Sequence, residues 1–269
     1  MIHNTSLLTR SGFNLDVSVF LAEVADMAYK PSFAIKAWAL TNGFGLQCTV
    51  FDHDNIQGFW CATGDVAIFC FRGTSNPGQW IRDLRFLPVD HPWGAIHAGF
   101  RGGVENAEPD VQAFMSFASK ANHVWITGHS LGGALAVIAA ARLKQYGITS
   151  SIYTSGQPRV SLNGFGERFE IELPGKLFRF INGNDIVPRI PPGLIYQHFG
   201  TVKHIVQCGF EATGNELVDK EPPPLTKQEF DTLQASIQET NGESFEGSLP
   251  WISDHSISEY IRLLREIRG

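Results

Sequence analysis

Apolar positions along this chain recur either at helical spacing or in short unbroken runs, and the alternation between the two predicts its elements. Residues 16–29 carry helical spacing through Val17, Phe20, Leu21, Val24, Ala25 and Ala28; Asp16 and Ser18 offer a start, and Pro31 follows the end. Residues 46–52 and 58–63 read as short strands, and the apolar run 66–71 suits a strand buried on both faces. The stretch 100–121 predicts a helix that Pro109 kinks or interrupts. A strand over 124–127 leads into a helix over 130–146, closed by Gly147. Strands over 151–154, 177–181 and 201–209 follow, and the last helix, 257–267, is amphipathic through Ile257, Tyr260, Ile261, Leu264 and Ile267. Strands alternating with helices predict an α/β fold, a doubly wound and mostly parallel sheet with helices on both faces.

One stretch breaks this rhythm. Residues 210–250 are polar, with three prolines at 222–224 and a single helical candidate at 226–238. They read as a surface excursion from a single domain spanning 1–269, not as a second domain.

The junction of the 124–127 strand with the next helix holds Gly128-His129-Ser130-Leu131-Gly132. A Gly-x-Ser-x-Gly between strand and helix is the context of a nucleophile elbow, in which a crowded turn demands neighbours without bulk. The helix N-terminus beyond it directs free N–H groups at any negative charge that develops. An ordinary glycine-rich turn is the plainer reading. A serine hydroxyl needs a base, and the base needs a carboxylate to hold its tautomer. In α/β-hydrolases both follow the serine, acid first.

Asp185, just past the 177–181 strand, is the acid candidate, with an Asx-turn role as the alternative. Asp219 and Asp231 lie in the polar excursion, and Asp254 adjoins the candidate base too closely to reach its ring. Of the histidines after Asp185, His255 on a loop before the last helix is the candidate base, whereas His198 and His204 suit surface or sheet packing. His129 within the elbow reads as structural, and His97 is left open. Oxyanion donors, worth about 3 kcal/mol each, are expected from the N–H of Leu131 and from Thr74 at the exit of the 66–71 strand.

Composition narrows the partners. The 269 residues carry a formal net charge of −6, which argues against nucleic acid and gives no help with anionic headgroups. Cys48, Cys61, Cys70 and Cys208 show neither metal-ligand nor CxxC spacing, and Cys70 reads as a core thiol. The first ten residues lack the basic start and apolar run of a leader. No stretch approaches the roughly 18 apolar residues of a transmembrane segment. As written, the chain reads as cytoplasmic or exported without a recognisable leader.

Phe71-Arg72-Gly73-Thr74, Ile96-His97-Ala98-Gly99-Phe100, the Thr127–Ala134 elbow, Ser155-Gly156-Gln157-Pro158-Arg159-Val160, Asn184-Asp185-Ile186-Val187-Pro188 and Asp254-His255 resemble, in order, the motifs of the class 3 lipase family. The resemblance implies an α/β-hydrolase fold with Ser130 as nucleophile, Asp185 as acid and His255 as base. It further implies Thr74 and Leu131 at the oxyanion, with Asp83 orienting the Thr74 hydroxyl. The long polar stretch before His255 departs from the family pattern.

Residues 75–88 place Trp80, Ile81, Leu84 and Leu87 on one side of a short helix, with Gln79, Arg82 and Arg85 opposite. Pro77-Gly78 and Pro88 bracket it. A packed surface helix shares this pattern; with the resemblance, it reads as a lid that opens at a lipid–water interface. The expected activity is that of a serine carboxylic-ester hydrolase, a triacylglycerol lipase acting on acylglycerols, with no metal or organic cofactor. The alternatives are a phospholipase, an esterase of soluble or aromatic esters, and an inert hydrolase-like binding protein.

Overall fold

The apolar run 66–71 becomes the strand around which the other elements are ordered. In this computed structural model, residues 4–10, 12–162, 164–193, 195–207, 214–239 and 250–269 are described. Two helices, α1 (Leu15–Met27) and α2 (Ser32–Thr41), precede strands β1 (Cys48–His53), β2 (Ile56–Ala62) and β3 (Val66–Phe71). Next come α3 (Pro77–Asp83), the hairpin β4 (Pro88–His91) and β5 (Gly94–His97), then α4 (Ala98–Asn106) and α5 (Glu108–Ala118). The central units are β6 (His123–His129), α6 (Leu131–Gln145), β7 (Ser151–Ser155), α7 (Phe165–Glu172) and β8 (Leu177–Asn182). The chain finishes with β9 (Thr201–Gln207), β10 (Asn215–Val218), α8 (Lys227–Glu239), α9 (Pro250–His255) and α10 (Ile257–Arg268).

Eight strands form one sheet in the order β1-β2-β3-β6-β7-β8-β9-β10. The pairs from β3 through β9 are parallel, and the outer pairs are antiparallel. Asp54 and Asn55, both at positive φ (48° and 67°), make the two-residue turn that joins β1 to β2. The expected mostly parallel α/β sheet is observed.

Alternate residues of β3 enter opposite cores, as its unbroken apolar run predicts. Val66, Ile68 and Cys70 pack with Val17, Leu21, Trp125, Tyr260 and Leu264 under α1 and α10. Ala67, Phe69 and Phe71 pack with Phe100, Phe114, Leu135 and Phe169 under α4 to α7. The Cys70 thiol is fully buried, and Cys48, Cys61 and Cys70 are free; Cys208 lies outside the described residues. Among the described residues, no helix is long and apolar enough to cross a membrane.

Several details differ from the sequence reading. The start of α1 is Asn14, whose side chain accepts from the Val17 N–H at 3.1 Å, so the cap lies ahead of Asp16 and Ser18. The 100–121 stretch is two helices joined at Ala107. Pro109 sits in the first turn of α5, where its missing N–H leaves no helical bond unmade. The polar excursion is not merely a surface loop. It adds β10 to the sheet edge, and α8 brings Phe230 and Ile237, with Leu225, onto Ile81, Leu84, Val187 and Ile190 in a third apolar cluster. Residues 210–213 and 240–249 of that excursion lie outside the described residues.

Candidate active site

The Gly-x-Ser-x-Gly sequence turns sharply between β6 and α6. Ser130 has φ 58° and ψ −130°, a conformation that non-glycine residues adopt only when their surroundings impose it. Its N–H donates to Ser155 O at 2.9 Å. A Cβ at 128 would lie 2.3 Å from Gly132 O, and one at 132 would lie 2.3 Å from Phe71 O. Both flanking positions therefore exclude a side chain, as the sequence pattern requires.

The three side chains expected to meet do so, although 125 residues separate Ser130 from His255. His255 Nε2 lies 2.8 Å from Ser130 Oγ, and its Nδ1 lies 2.9 Å and 3.0 Å from the two Asp185 carboxylate oxygens. A carboxylate only accepts, so Nδ1 carries the proton and Nε2 offers its lone pair to the serine O–H. Ser130 is 1% exposed, His255 3% and Asp185 not at all. The histidine ends α9, a short helix, where a loop had been expected.

Several residues not anticipated from the sequence hold this arrangement. Tyr260 on α10 donates its phenol to Asp185 Oδ2 at 2.7 Å and accepts from the Asn182 N–H at 3.0 Å. Burial first, then the Asp185 charge, pushes the Tyr260 pKa well above the usual phenol value, so it remains a donor. The Val187 N–H donates to Asp185 Oδ1 at 2.9 Å. Asp254, set aside as the acid, accepts the Asn184 N–H on its carboxylate at 2.9 Å, while its backbone carbonyl accepts from Asn182 Nδ2 at 3.0 Å. These bonds tie the His255 segment to the loop that carries Asp185.

His129, read as structural, has a definable task. Its Nε2 lies 2.6 Å from His255 O, and a carbonyl only accepts, so Nε2 bears the proton. Its Nδ1 then accepts from the Tyr29 hydroxyl at 2.9 Å. Burial, and then neighbouring His255, push its pKa well below the usual imidazole value, so it remains neutral. The signal for Tyr29 and Tyr260 was available in principle, because a buried phenol needs a partner.

At the other side of the elbow, Gly73 approaches so closely that a Cβ there would lie 3.0 Å from Ser130 Cβ. Thr74 is the next residue in the chain, with its Oγ1 accepting from the Asn76 N–H at 3.2 Å. Leu131 follows Ser130 as the first residue of α6, where the N–H has no helical partner. Asp83 does not join Thr74: its carboxylate, 58% exposed, pairs with the adjacent Arg82 at 2.9 Å. The orienting contact on Thr74 comes from Asn76.

The proposed lid also needs correction in its extent. Trp80 and Ile81 lie on α3, but Leu84 is the extended residue that ends it, and exposed Leu87 lies beyond. Pro88 opens β4 and does not bracket a helix. The cause is distant in sequence. Gln234 Nε2 on α8 donates to Ile81 O at 3.0 Å and to Arg82 O at 3.1 Å, carbonyls at the helix end. Ile81 is fully buried against α8.

His97 donates Nε2–H to Arg85 O at 2.6 Å, His198 to Pro188 O at 2.7 Å and His204 to Gly183 O at 2.9 Å; none of the three reaches Ser130 or Asp185. Among the described residues, no group of three His, Cys, Asp or Glu side chains is arranged to hold a metal ion.

Comparison with known proteins agrees with this arrangement. Residues 68–194 match the family model described as Lipase (class 3). A secreted mono- and diacylglycerol lipase from Fusarium solani is 38% identical over 134 residues, covering 47% of this chain and 40% of that protein. A lipase from Rhizomucor miehei is 36% identical over 135 residues, covering 45% and 36%. The chain thus spans about two fifths of the length of these curated relatives. The crystal structure of a lipase from Rhizopus microsporus var. chinensis superposes with a TM-score of 0.61 at 25% identity, over 81% of this chain and 82% of that one. The segment that holds the elbow, the Thr74 strand exit and the Asp185 loop is thus similar to the class 3 lipase family, and the chain has the α/β-hydrolase fold of its solved lipase neighbour.

Proposed function

We propose that this protein is a serine ester hydrolase that cleaves fatty-acyl esters of glycerol through Ser130, His255 and Asp185. The observation that carries this reading is the buried relay at the elbow: 2.8 Å from Ser130 Oγ to His255 Nε2 and 2.9 Å from Nδ1 to Asp185. His255 takes the hydroxyl proton as Ser130 attacks the carbonyl, and Asp185 steadies the imidazolium. His255 then protonates the departing alcohol, and water activated by the same ring releases the fatty acid. The Leu131 N–H and Thr74 are assigned to the oxyanion. Asn76 holds Thr74 Oγ1 as acceptor, leaving the hydroxyl proton to be donated.

Ser130 is 1% exposed, which leaves little room for an acyl chain at its hydroxyl without movement nearby. We assign that movement to residues 75–88, the segment leaving Thr74, with α8 as its clasp. Opening α3 uncovers Ile81 and Leu84, at about 1.5–3 kcal/mol for each large apolar side chain, a cost that a lipid surface offsets. The relatives named as mono- and diacylglycerol lipases support glycerol esters as the substrate class.

The test joins labelling to turnover. A fluorophosphonate probe should label Ser130, and Ser130→Ala should lower kcat on p-nitrophenyl and glycerol esters by about a million-fold, as for a comparable triad. Ester hydrolysis surviving in Ser130→Ala excludes this site, and a wild-type protein that neither labels nor hydrolyses excludes the enzyme.

A further inference from the structure

Two cysteines that the ester chemistry does not use, Cys48 and Cys61, face each other across the β1–β2 hairpin. They are direct partners in its register, and the neighbouring pair closes a backbone bond, Ala62 N–H to Gln47 O at 3.0 Å. Hydrogen-bonded and non-hydrogen-bonded pairs alternate along an antiparallel ladder, so 48 and 61 form a non-hydrogen-bonded pair. That is the closer kind, with Cα atoms about 4.5 Å apart and both side chains on one face. Disulfides span Cα separations of roughly 4.4–6.8 Å. Both residues belong to the core under α1 and α10, Cys61 fully buried and Cys48 partly so, and both are free thiols in this structure. Gln57, near the other end of β2, accepts the Arg72 N–H at 2.8 Å beside the Gly73–Thr74 strand exit, so the cysteine end of the hairpin is the one away from Ser130.

The two thiols are chemically unequal. The Cys61 S–H donates to Cys48 and lowers its pKa from the usual thiol value; burial opposes this shift, and Lys36 on α2 adds to it. Burial, and then the same bond, push the Cys61 thiol up. The thiolate is the nucleophile in thiol–disulfide exchange. Cys48, the partly exposed member, is therefore the one that meets a reagent from solvent, and Cys61 the one that resolves it. Cys70, the third thiol of this core, stands apart: its partner on β2 is Phe59, and its Sγ donates to Val24 O at 3.6 Å. β1 is an edge strand that pairs with β2 alone, so a covalent link here would hold it where the sheet is easiest to fray.

We infer that Cys48 and Cys61 form a redox-reversible cross-strand disulfide that staples β1 to β2. The Cys48 thiolate attacks one sulfur of a low-molecular-weight disulfide, which gives a mixed disulfide and releases one small thiol. Cys61 then attacks Cys48 Sγ; the Sγ–Sγ bond forms as the second small thiol leaves, and the two cysteine protons end on the two released thiols. Two cysteines are oxidised and one small disulfide is reduced. The inference is independent of the ester chemistry at Ser130.

Peptide mapping of the whole wild-type protein after incubation with oxidised glutathione tests this. Remaining thiols are blocked under denaturing conditions, and the chain is cleaved on the N-terminal side of aspartate. Cuts before Asp52, Asp54 and Asp65 put Cys48, Cys61 and Cys70 on separate peptides. A pair of peptides joined through 48 and 61, and parted by reductant, is expected. The oxidised protein should melt about 6–12 °C above the reduced one, the order for a disulfide closing a loop of about 15 residues in a chain of this size. Cys48→Ala should lose both the link and the gain. A wild-type protein whose thiols stay free, that stops at a glutathione adduct on Cys48, or that links Cys70 or Cys208 instead overturns the proposal, and this reading does not depend on the variant folding. So does a linked protein that melts no higher than the reduced one, or an oxidative gain that survives in Cys48→Ala.

Discussion

Replacing Tyr260 by Phe removes one oxygen from the protein and breaks two bonds at once. That oxygen donates to the buried Asp185 carboxylate at 2.7 Å and accepts the Asn182 N–H at 3.0 Å, in a residue with no exposure. A hydrogen bond to a charged group contributes roughly 1.5–3 kcal/mol net, and an orphaned buried N–H costs roughly 1–3 kcal/mol. The two share one atom and do not simply add, so about 2–4 kcal/mol of destabilisation is expected. At roughly 2–4 °C per kcal/mol for a chain of this size, the melting temperature should fall by about 4–16 °C. Asp185 keeps the Val187 N–H and His255 but loses one of the groups that fix its orientation. Turnover should fall about tenfold, equivalent to roughly 1.4 kcal/mol of transition-state stabilisation. KM should stay constant, because Tyr260 is fully buried and its hydroxyl bonds Asp185 and the Asn182 N–H, not Ser130. Thermal melts and hydrolysis of a soluble p-nitrophenyl ester, scaled to folded protein, give both numbers. A Tyr260→Phe protein with wild-type melting refutes the bonding account, and a destabilised one with unchanged kcat refutes the positioning role.

Two further outcomes follow from the buried groups. His129 and His198 have pKa values pushed well below the ordinary imidazole value, by burial first, then by His255 for His129 and by Arg179 and Arg159 for His198. Below about pH 6.5 the unfolded chain therefore binds protons that the folded one refuses, and stability is lost as pH falls, at about 1.4 kcal/mol per pH unit for each histidine. Urea melts at pH 7.5, 6 and 5 should show it, with Asp254, whose pKa burial raises, acting in the opposite sense; a flat profile over that range contradicts the neutral assignments. Gln234→Ala removes the amide that holds the Ile81 and Arg82 carbonyls. Losing about 1 kcal/mol of clasp should raise activity on monomeric ester severalfold and shrink the gain seen above the aggregation point; an unchanged ratio counts against α3 as the moving part.

The elbow was legible because its determinants are local. Two glycines within two residues of Ser130, an apolar run before and an apolar helix after them leave little other geometry open. Asp185 and His255 were legible through chain order and through their positions beyond a strand and before a helix. Tyr260 was visible only as one apolar tooth of an amphipathic helix, since its phenol partners lie 75 and 78 residues away. Asp83 shows the opposite failure. It came from the resemblance alone, and in this chain its neighbour Arg82 takes the carboxylate outward while a backbone N–H does the orienting on Thr74.

The 210–250 stretch was misjudged for a reason that bears on mechanism. Averaged over its length it is polar, and an average hides a stripe: Phe230, Leu233 and Ile237 recur at helical spacing and meet Ile81 and Leu84, some 150 residues earlier. The same contact shortens α3 to Pro77–Asp83, because Gln234 supplies the donor that the helix end would otherwise seek from another turn. On the lid role proposed for residues 75–88, the hold on that segment is therefore encoded on α8 as much as on α3. If uncovering Ile81 and Leu84 costs about 3 kcal/mol, fewer than about 1 molecule in 100 is open in water. Substitutions along one face of α8 should then set how strongly the protein depends on an interface while leaving the chemistry at Ser130 untouched.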